Sequence, residues 1–161
     1  MERIYENITV PILPLSKSKW VRVKDGNLTA WALFQRHYSK YHYADGRRPK
    51  RFVGPGERIV LITQDGLAFF VWRKFLDASG QKGVNCSIFR NDGNHLSSEL
   101  ILEAEKLAWV RWPEERLYTY VNADKIKSSN PGYCFKCAGW NECGTTKARG
   151  LVILEKFPGQ N

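Results

Sequence analysis

No stretch of about 18 apolar residues runs through this chain, so it offers no helix long and greasy enough to span a bilayer. Its first residues carry an acid at Glu2 and no long apolar core, which removes the expectation of a secretory signal. Cysteine is sparse: Cys86, Cys134, Cys137 and Cys143. With 13% aromatic residues to build a core, disulfides are not needed for stability, and a reducing compartment is expected. Cys134 and Cys137 have the spacing of half a zinc site, but no second pair follows, and no histidine comes after Cys143. Structural zinc is therefore not expected, and the four thiols read as small buried or half-buried groups. Internal repeats and low-complexity tracts are also missing. These absences lead to the expectation of a cytoplasmic protein, in a prokaryote or a virus-infected cell.

What is present is positive charge. The 161 residues carry a net charge of +9, unevenly spread. Between residues 36 and 58, seven Lys and Arg (Arg36, Lys40, Arg47, Arg48, Lys50, Arg51, Arg58) face two acids, Asp45 and Glu57. Tyr38, Tyr41, His42, Tyr43 and Phe52 are threaded through them. Basic side chains attract phosphates and aromatic rings stack on bases, so this composition points to nucleic acid. Lys40, Tyr41, Arg47, Arg48, Lys50 and Arg51 are the candidate contacts. A solvated basic loop has the same composition and stays open as an alternative. Residues 39–57 have no regular period and are too long for a simple connector, which marks a functional or disordered loop.

At 43% apolar composition the chain can bury one sizeable core and hardly two, so a single domain over 1–161 is expected, with 1–19 as an N-terminal arm. Trp20 to Val23 alternates and runs into the turn residues Lys24 to Asn27, which predicts a first strand. Asn27 or Thr29 can cap a helix whose inward positions are Ala30, Leu33, Phe34, His37 and Tyr38. Residues 58–63 and 67–75, joined by Gln64-Asp65-Gly66, are the clearest hairpin signal, and 84–90 adds a third antiparallel strand. A long helix follows, capped by Ser97 or Ser98 with Glu99 in its first turn, apolar at Leu100, Ile101, Ala104, Leu107 and Ala108, and stopped before Pro113. Residues 117–121 form a strand. Pro131 and Gly139 bracket a two-turn helix, and 151–154 closes the chain as a final strand.

Strand, polar loop, short helix ending in Gly139-Trp140 and final strand resemble the C-terminal half of the GNAT acyltransferase fold. The element order from Trp20 to Glu155 resembles a GNAT domain over nearly the whole chain. The resemblance implies an α/β (α+β) fold: a GNAT-like mixed, mostly antiparallel central sheet with helices on both faces. It also implies a splayed pair of parallel strands that holds the pantetheine arm of an acyl-coenzyme A. Within that superfamily, four features resemble the phage Mom type of DNA-modification protein, which masks adenine against restriction enzymes. These are His37-Tyr38-Ser39 after the first helix, Ser97-Ser98 opening the long one, Asp124 and Tyr133. Carried over, the resemblance makes His37, Tyr38, Ser98, Asp124 and Tyr133 catalytic. Phe89, Arg90, Asn91, Gly93, Ser97 and Ser98 become cofactor-binding, with acetyl-coenzyme A or a related donor. Iron at His37 and Tyr38 is left open, and no other metal is expected. The chain departs from the acetyltransferase pattern in having one glycine, Gly93, before the long helix. It also has Phe135 where the family's frequent general-acid tyrosine stands.

Three functions follow from these residues. The first is a transferase that modifies a nucleobase, the exocyclic amine of adenine in duplex DNA, giving protection against restriction. A base must leave the stack for such chemistry, which suits a basic, aromatic loop beside a cleft. There His37 is a general base or metal ligand, Ser98 a donor to the bound group, Asp124 an orienting or deprotonating carboxylate and Tyr133 a general acid. The second is an acyl-coenzyme A-dependent N-acetyltransferase of a small amine or a protein, which needs no basic arm. The third is a catalytically silent, nucleic-acid-binding GNAT-like domain. No membrane partner is expected, and monomer or homodimer is left open.

Overall fold

A computed structural model describes residues 18–36, 53–76, 78, 80–125 and 130–159. Its centre is a mixed sheet of seven strands: β1 (Trp20–Val23), β2 (Glu57–Thr63), β3 (Ala68–Lys74), β4 (Val84–Asn91), β5 (Leu117–Val121), β6 (Asn141–Thr145) and β7 (Val152–Lys156). The spatial order is β1-β2-β3-β4-β5-β7-β6. Every neighbouring pair is antiparallel except β4 and β5, which run parallel. Among the described residues the α-helices are α1 (Leu28–Gln35), α2 (Ser97–Arg111) and α3 (Tyr133–Cys137). Among the described residues no helix is long and apolar enough to cross a membrane.

The hairpin between β2 and β3 forms as expected. Gly66 adopts φ 71°, a region that costs a side-chain-bearing residue energy and costs glycine little. The Asp65 carboxylate accepts from Thr63 Oγ1 at 2.7 Å and from the Leu67 amide at 3.0 Å. Asn27 caps α1, its Oδ1 accepting from the amides of Thr29 and Ala30 at 3.0 and 3.1 Å.

Alternate strand residues feed two clusters. Ile59, Leu61, Phe70 and Trp72 pack with Leu100, Ile101, Ala104 and Ala108 of α2 and with Phe135 and Ala138 at α3. Val60, Phe69, Val71 and Ile88 pack with Ala30, Trp31, Leu33 and Phe34 of α1. β3 lies in mid-sheet and is buried from Ala68 to Trp72, which is why its sequence is an unbroken apolar run. Phe69 and Phe70 are both 0% exposed, and burial of each side chain contributes roughly 1.5–3 kcal/mol.

Buried indoles need a hydrogen-bond partner, and α2 supplies several. Trp20 Nε1 donates to the Leu100 carbonyl and Trp72 Nε1 to that of Ala104, each at 2.9 Å. Trp140 Nε1 donates to Glu105 Oε2 at 2.7 Å. Glu105 also accepts from Lys156 Nζ at 2.8 Å, and that ammonium donates to the Ala138 carbonyl at 2.7 Å. This buried ion pair ties α2, β7 and the end of α3 together.

Four expectations are corrected. α2 begins at Ser97 with Leu96 as N-cap and no side-chain cap; the Ser97 hydroxyl is instead engaged by Asn91 Nδ2 at 2.9 Å. The short helix has five residues and starts at Tyr133. Gly132, at φ 79°, takes a left-handed conformation that keeps Pro131 out of the helix. β6 was not foreseen: all five of its residues are exposed, so no apolar alternation announces it. Cys137 and Cys143 are exposed, whereas Cys86 is buried.

Candidate active site

β4 and β5 pair at only three positions, Val84 with Leu117, Asn85 with Tyr118 and Cys86 with Thr119. Thr119 Oγ1 donates to the Cys86 carbonyl at 2.8 Å at the last of them. Beyond it the partners differ: β4 continues along β3 to Asn91, and β5 continues along β7 to Val121. The register of β3 on β4 shifts there too, pairing Trp72 with Cys86 and Val71 with Ile88 and leaving Ser87 without a counterpart. Such a bulge bends a strand and sharpens its twist. Among the described residues the buried side-chain atoms lacking a hydrogen-bond partner are Arg58 Nε, Asn85 Oδ1 and Ser87 Oγ. Two of the three belong to β4, Asn85 within the stretch paired to β5 and Ser87 just beyond it. Ligand sites in open sheets lie beyond the carboxyl ends of strands, where neighbouring connections diverge.

The loop leaving β4 is tightly built. Asn91 Oδ1 accepts from the Gly93 amide at 3.0 Å, and its Nδ2 donates to the His95 carbonyl at 2.7 Å as well as to Ser97 Oγ. The Asp92 amide donates to the Leu67 carbonyl at 2.7 Å. A Cβ on Gly93 would stand 3.0 Å from Leu67 Cβ, so the loop presses on the β2–β3 turn. The positive end of α2, without a side-chain cap, follows directly.

Asp124 lies in the 3-10 turn Ala123–Lys125 just after β5, exposed, its amide donating to Asn122 Oδ1 at 3.1 Å. α3 enters close by: a Cβ on Gly132 would lie 2.5 Å from Leu154 Cδ1 and 3.5 Å from Val121 Cγ2. Gly132→Ala is thus expected to destabilise the fold by roughly 1–3 kcal/mol, through left-handed strain plus the clash. Urea unfolding would measure this, and an unchanged midpoint would show that the α3 entry is soft. Topology therefore brings Ser97, Ser98, Asp124 and Tyr133 to one end of the sheet.

The Tyr133 side chain is 60% exposed. A hydrogen bond with Cys137, then charge at that thiol, hold its phenol above the ordinary value. It is protonated at neutral pH, the form a general acid requires. Phe135 is buried, ring centroids 4.8 Å from Trp140 and 5.9 Å from Phe89. Phe89 also packs 5.2 Å from Phe70, so its ring belongs to the core edge. Burial pushes the Cys86 thiol far up, and burial likewise raises Cys134. Neither is a ready thiolate.

The guanidinium of Arg90 is engaged by Asp92, Nε to Oδ1 at 2.9 Å, and by the Arg36 carbonyl. Arg36 binds the same carboxylate. The sequence counted Arg36 only within the basic segment, and of the run Asn91 to Asn94 it singled out Asn91 and Gly93 as cofactor-binding but not Asp92. His37, Tyr38, Lys40, Tyr41, Arg47, Arg48, Lys50 and Arg51 lie outside the described residues, so the convergence of His37 and Asp124 is not decided. Among the described residues no three His, Cys, Asp or Glu side chains gather as a metal site. Compared with family models, curated proteins and solved structures, the chain finds no match.

Proposed function

We propose that the chain is a GNAT-like group transferase of the Mom type, which modifies the exocyclic amine of adenine in duplex DNA. In this reading α1 covers one face of the sheet and α2 with α3 the other. The observation that carries it is the lone parallel pair, β4 and β5, hydrogen-bonded over three positions and then parted inside an otherwise antiparallel sheet. The resemblance drawn from the sequence expects its donor-holding gap at that place. A donor of the acyl-coenzyme A class fits in part. The uncapped start of α2 at Ser97 and Ser98 suits a diphosphate, and Ser87 Oγ offers an unused polar atom. The single Gly93 gives less close backbone approach than two glycines would. Such a donor, when bound, would supply an activated acyl group, held by Ser97, Ser98 and Gly93.

The chain's own residues do the rest. The basic segment neutralises phosphates and its aromatic rings receive the unstacked base. Asp124 orients or deprotonates the amine, with His37 as the alternative base, while Tyr133 returns a proton to the leaving group and Ser98 donates to the bound donor. The segment 37–52 begins next to Arg36, which is tied by 3.0 and 2.8 Å hydrogen bonds to the loop at the gap. This contact between Arg36 and Asp92 supports a reading in which the basic stretch acts together with that loop.

Mass spectrometry of nucleosides from DNA of expressing cells tests the proposal. A new modified adenosine that depends on the protein is expected, and its absence from DNA that the protein demonstrably binds would overturn the reading. That outcome would favour the silent, DNA-binding domain, which Phe135 in place of a tyrosine also supports. Replacing Arg47, Arg48, Lys50 and Arg51 together is expected to flatten the plot of log affinity against log salt by roughly three to four units. An unchanged slope would reduce the loop to a solvated surface.

A further inference from the structure

Asp92 stands between two guanidinium groups. Its Oδ2 accepts from Arg36 Nε at 3.0 Å and Nη2 at 2.8 Å, and its Oδ1 accepts from Arg90 Nε at 2.9 Å. Arg90 Nη1 also donates to the Arg36 carbonyl, which locks the two arginines to each other. Among the described residues neither arginine has another acidic partner. The cluster lies open to solvent, the Arg36, Arg90 and Asp92 side chains being 49%, 30% and 27% exposed. Two positive charges against one leave an excess positive charge at the surface. Two arginines converging on one oxyanion is also how proteins grip phosphate, because the planar donors match its oxygens. Burial acts upward on the Asp92 carboxyl, but hydrogen bonds from Arg90 and Arg36 outweigh it and hold the group below its usual range. The carboxylate is thus charged at neutral pH.

We propose that Arg36 and Arg90 form a phosphate grip for the backbone of duplex DNA, occupied by the chain's own Asp92 until a phosphodiester replaces it. The inference rests on the DNA reading above and adds to it a contact surface outside the 37–52 segment. Duplex DNA is favoured over the diphosphate of a donor by the position of Arg36, the residue from which the basic aromatic stretch departs. An exposed ion pair is cheap to open, and counterion release from DNA drives the exchange. Asp92 then acts as a gatekeeper: it screens the grip from free anions and yields to a polyanion.

The test uses Asp92→Asn, which keeps the side-chain shape and the hydrogen bond from the backbone N–H of residue 92 to the Leu67 carbonyl but removes the charge. The full chain is titrated with a short duplex across about 0.05–0.3 M salt, and separately with coenzyme A. Asp92→Asn is expected to bind duplex roughly tenfold tighter near 0.1 M salt and to steepen the salt slope by about one. Arg36→Gln and Arg90→Gln, each with an unchanged melting temperature, are expected to flatten it by about one. Unchanged or weakened duplex binding by folded Asp92→Asn overturns the proposal. So does tightening toward coenzyme A alone, which would assign the grip to the donor. Should Asp92→Asn fail to fold, unaltered slopes in both arginine variants overturn it equally. Loss of this inference leaves the modified-adenosine result untouched, so the two readings fail separately.

Discussion

Lys156→Met is expected to lower the unfolding free energy by about 3–5 kcal/mol, the largest stability effect of any single exchange considered for this protein. Lys156 and Glu105 are each 2% exposed. Removing the ammonium strands a carboxylate whose remaining hydrogen bond comes from Trp140 at 2.7 Å, and it also deprives the Ala138 carbonyl of its donor. Pairing the change with Glu105→Gln is expected to recover most of the loss, since a neutral amide needs no counterion. The deficit should also depend on pH. Burial keeps the Glu105 carboxyl above its usual range, against the hydrogen bonds from Lys156 and Trp140. The folded state therefore binds more protons than the unfolded one across that window. The stability Glu105 contributes is complete below the ordinary carboxylate pKa and is lost as pH rises through the raised folded value. Without Lys156 the folded value rises further, so the variant is expected to gain on the wild type as the solution is acidified from pH about 8 to about 5. Urea unfolding at both pH values measures this. A deficit that is equal at both, and unrelieved in the double variant, would show that packing rather than charge holds β7 to α2.

Tyr133→Phe, Asp124→Asn and His37→Ala are each expected to reduce adenine modification by roughly 10²–10⁴-fold, the range over which positioned acids and bases act. For Tyr133 and Asp124 the melting temperature should barely move. The phenol is 60% exposed, and Asp124 sits on the surface in its 3-10 turn, so neither side chain carries core packing. Loss in kcat with KM preserved would place a group in the transition state, whereas a rise in KM alone would make it a binding contact. Full activity in the Tyr133 and Asp124 variants would remove the end of β5 and the entry of α3 from the chemistry. The gap between β4 and β5 would then be a structural feature only.

The elements that the sequence foretold are those whose causes are local. Asp65-Gly66 permits a tight turn wherever it stands, Asn27 caps the next three residues, and Pro113 bars a helix from continuing. The hairpin of β2 and β3, the start of α1 and the end of α2 were legible for that reason. β5 and β4, the third antiparallel strand after the hairpin, were legible too, because their apolar residues face a core. β6 was not: at the edge of the sheet it buries no side chain, so nothing in its composition distinguishes it from a loop. Pro131 predicted a helix start that packing overruled, since Gly132 must lie against Leu154 and Val121 in a left-handed conformation. Ser97 predicted a cap that Asn91 took for the loop. Of the candidate site, charge, aromatic content and the polar run before α2 could be read from the chain. The grip of Arg36 and Arg90 on Asp92, with partners 56 and 2 residues apart, depends on how α1 and β4 are brought together. So does the pairing of Lys156 with Glu105, 51 residues away. Sequence by itself determined the turns, caps and buried faces, because each is an interaction within a few residues. Tertiary structure alone decided which charges meet, and that β4 and β5 run parallel and then part, because those depend on the order in which strands pair across the sheet.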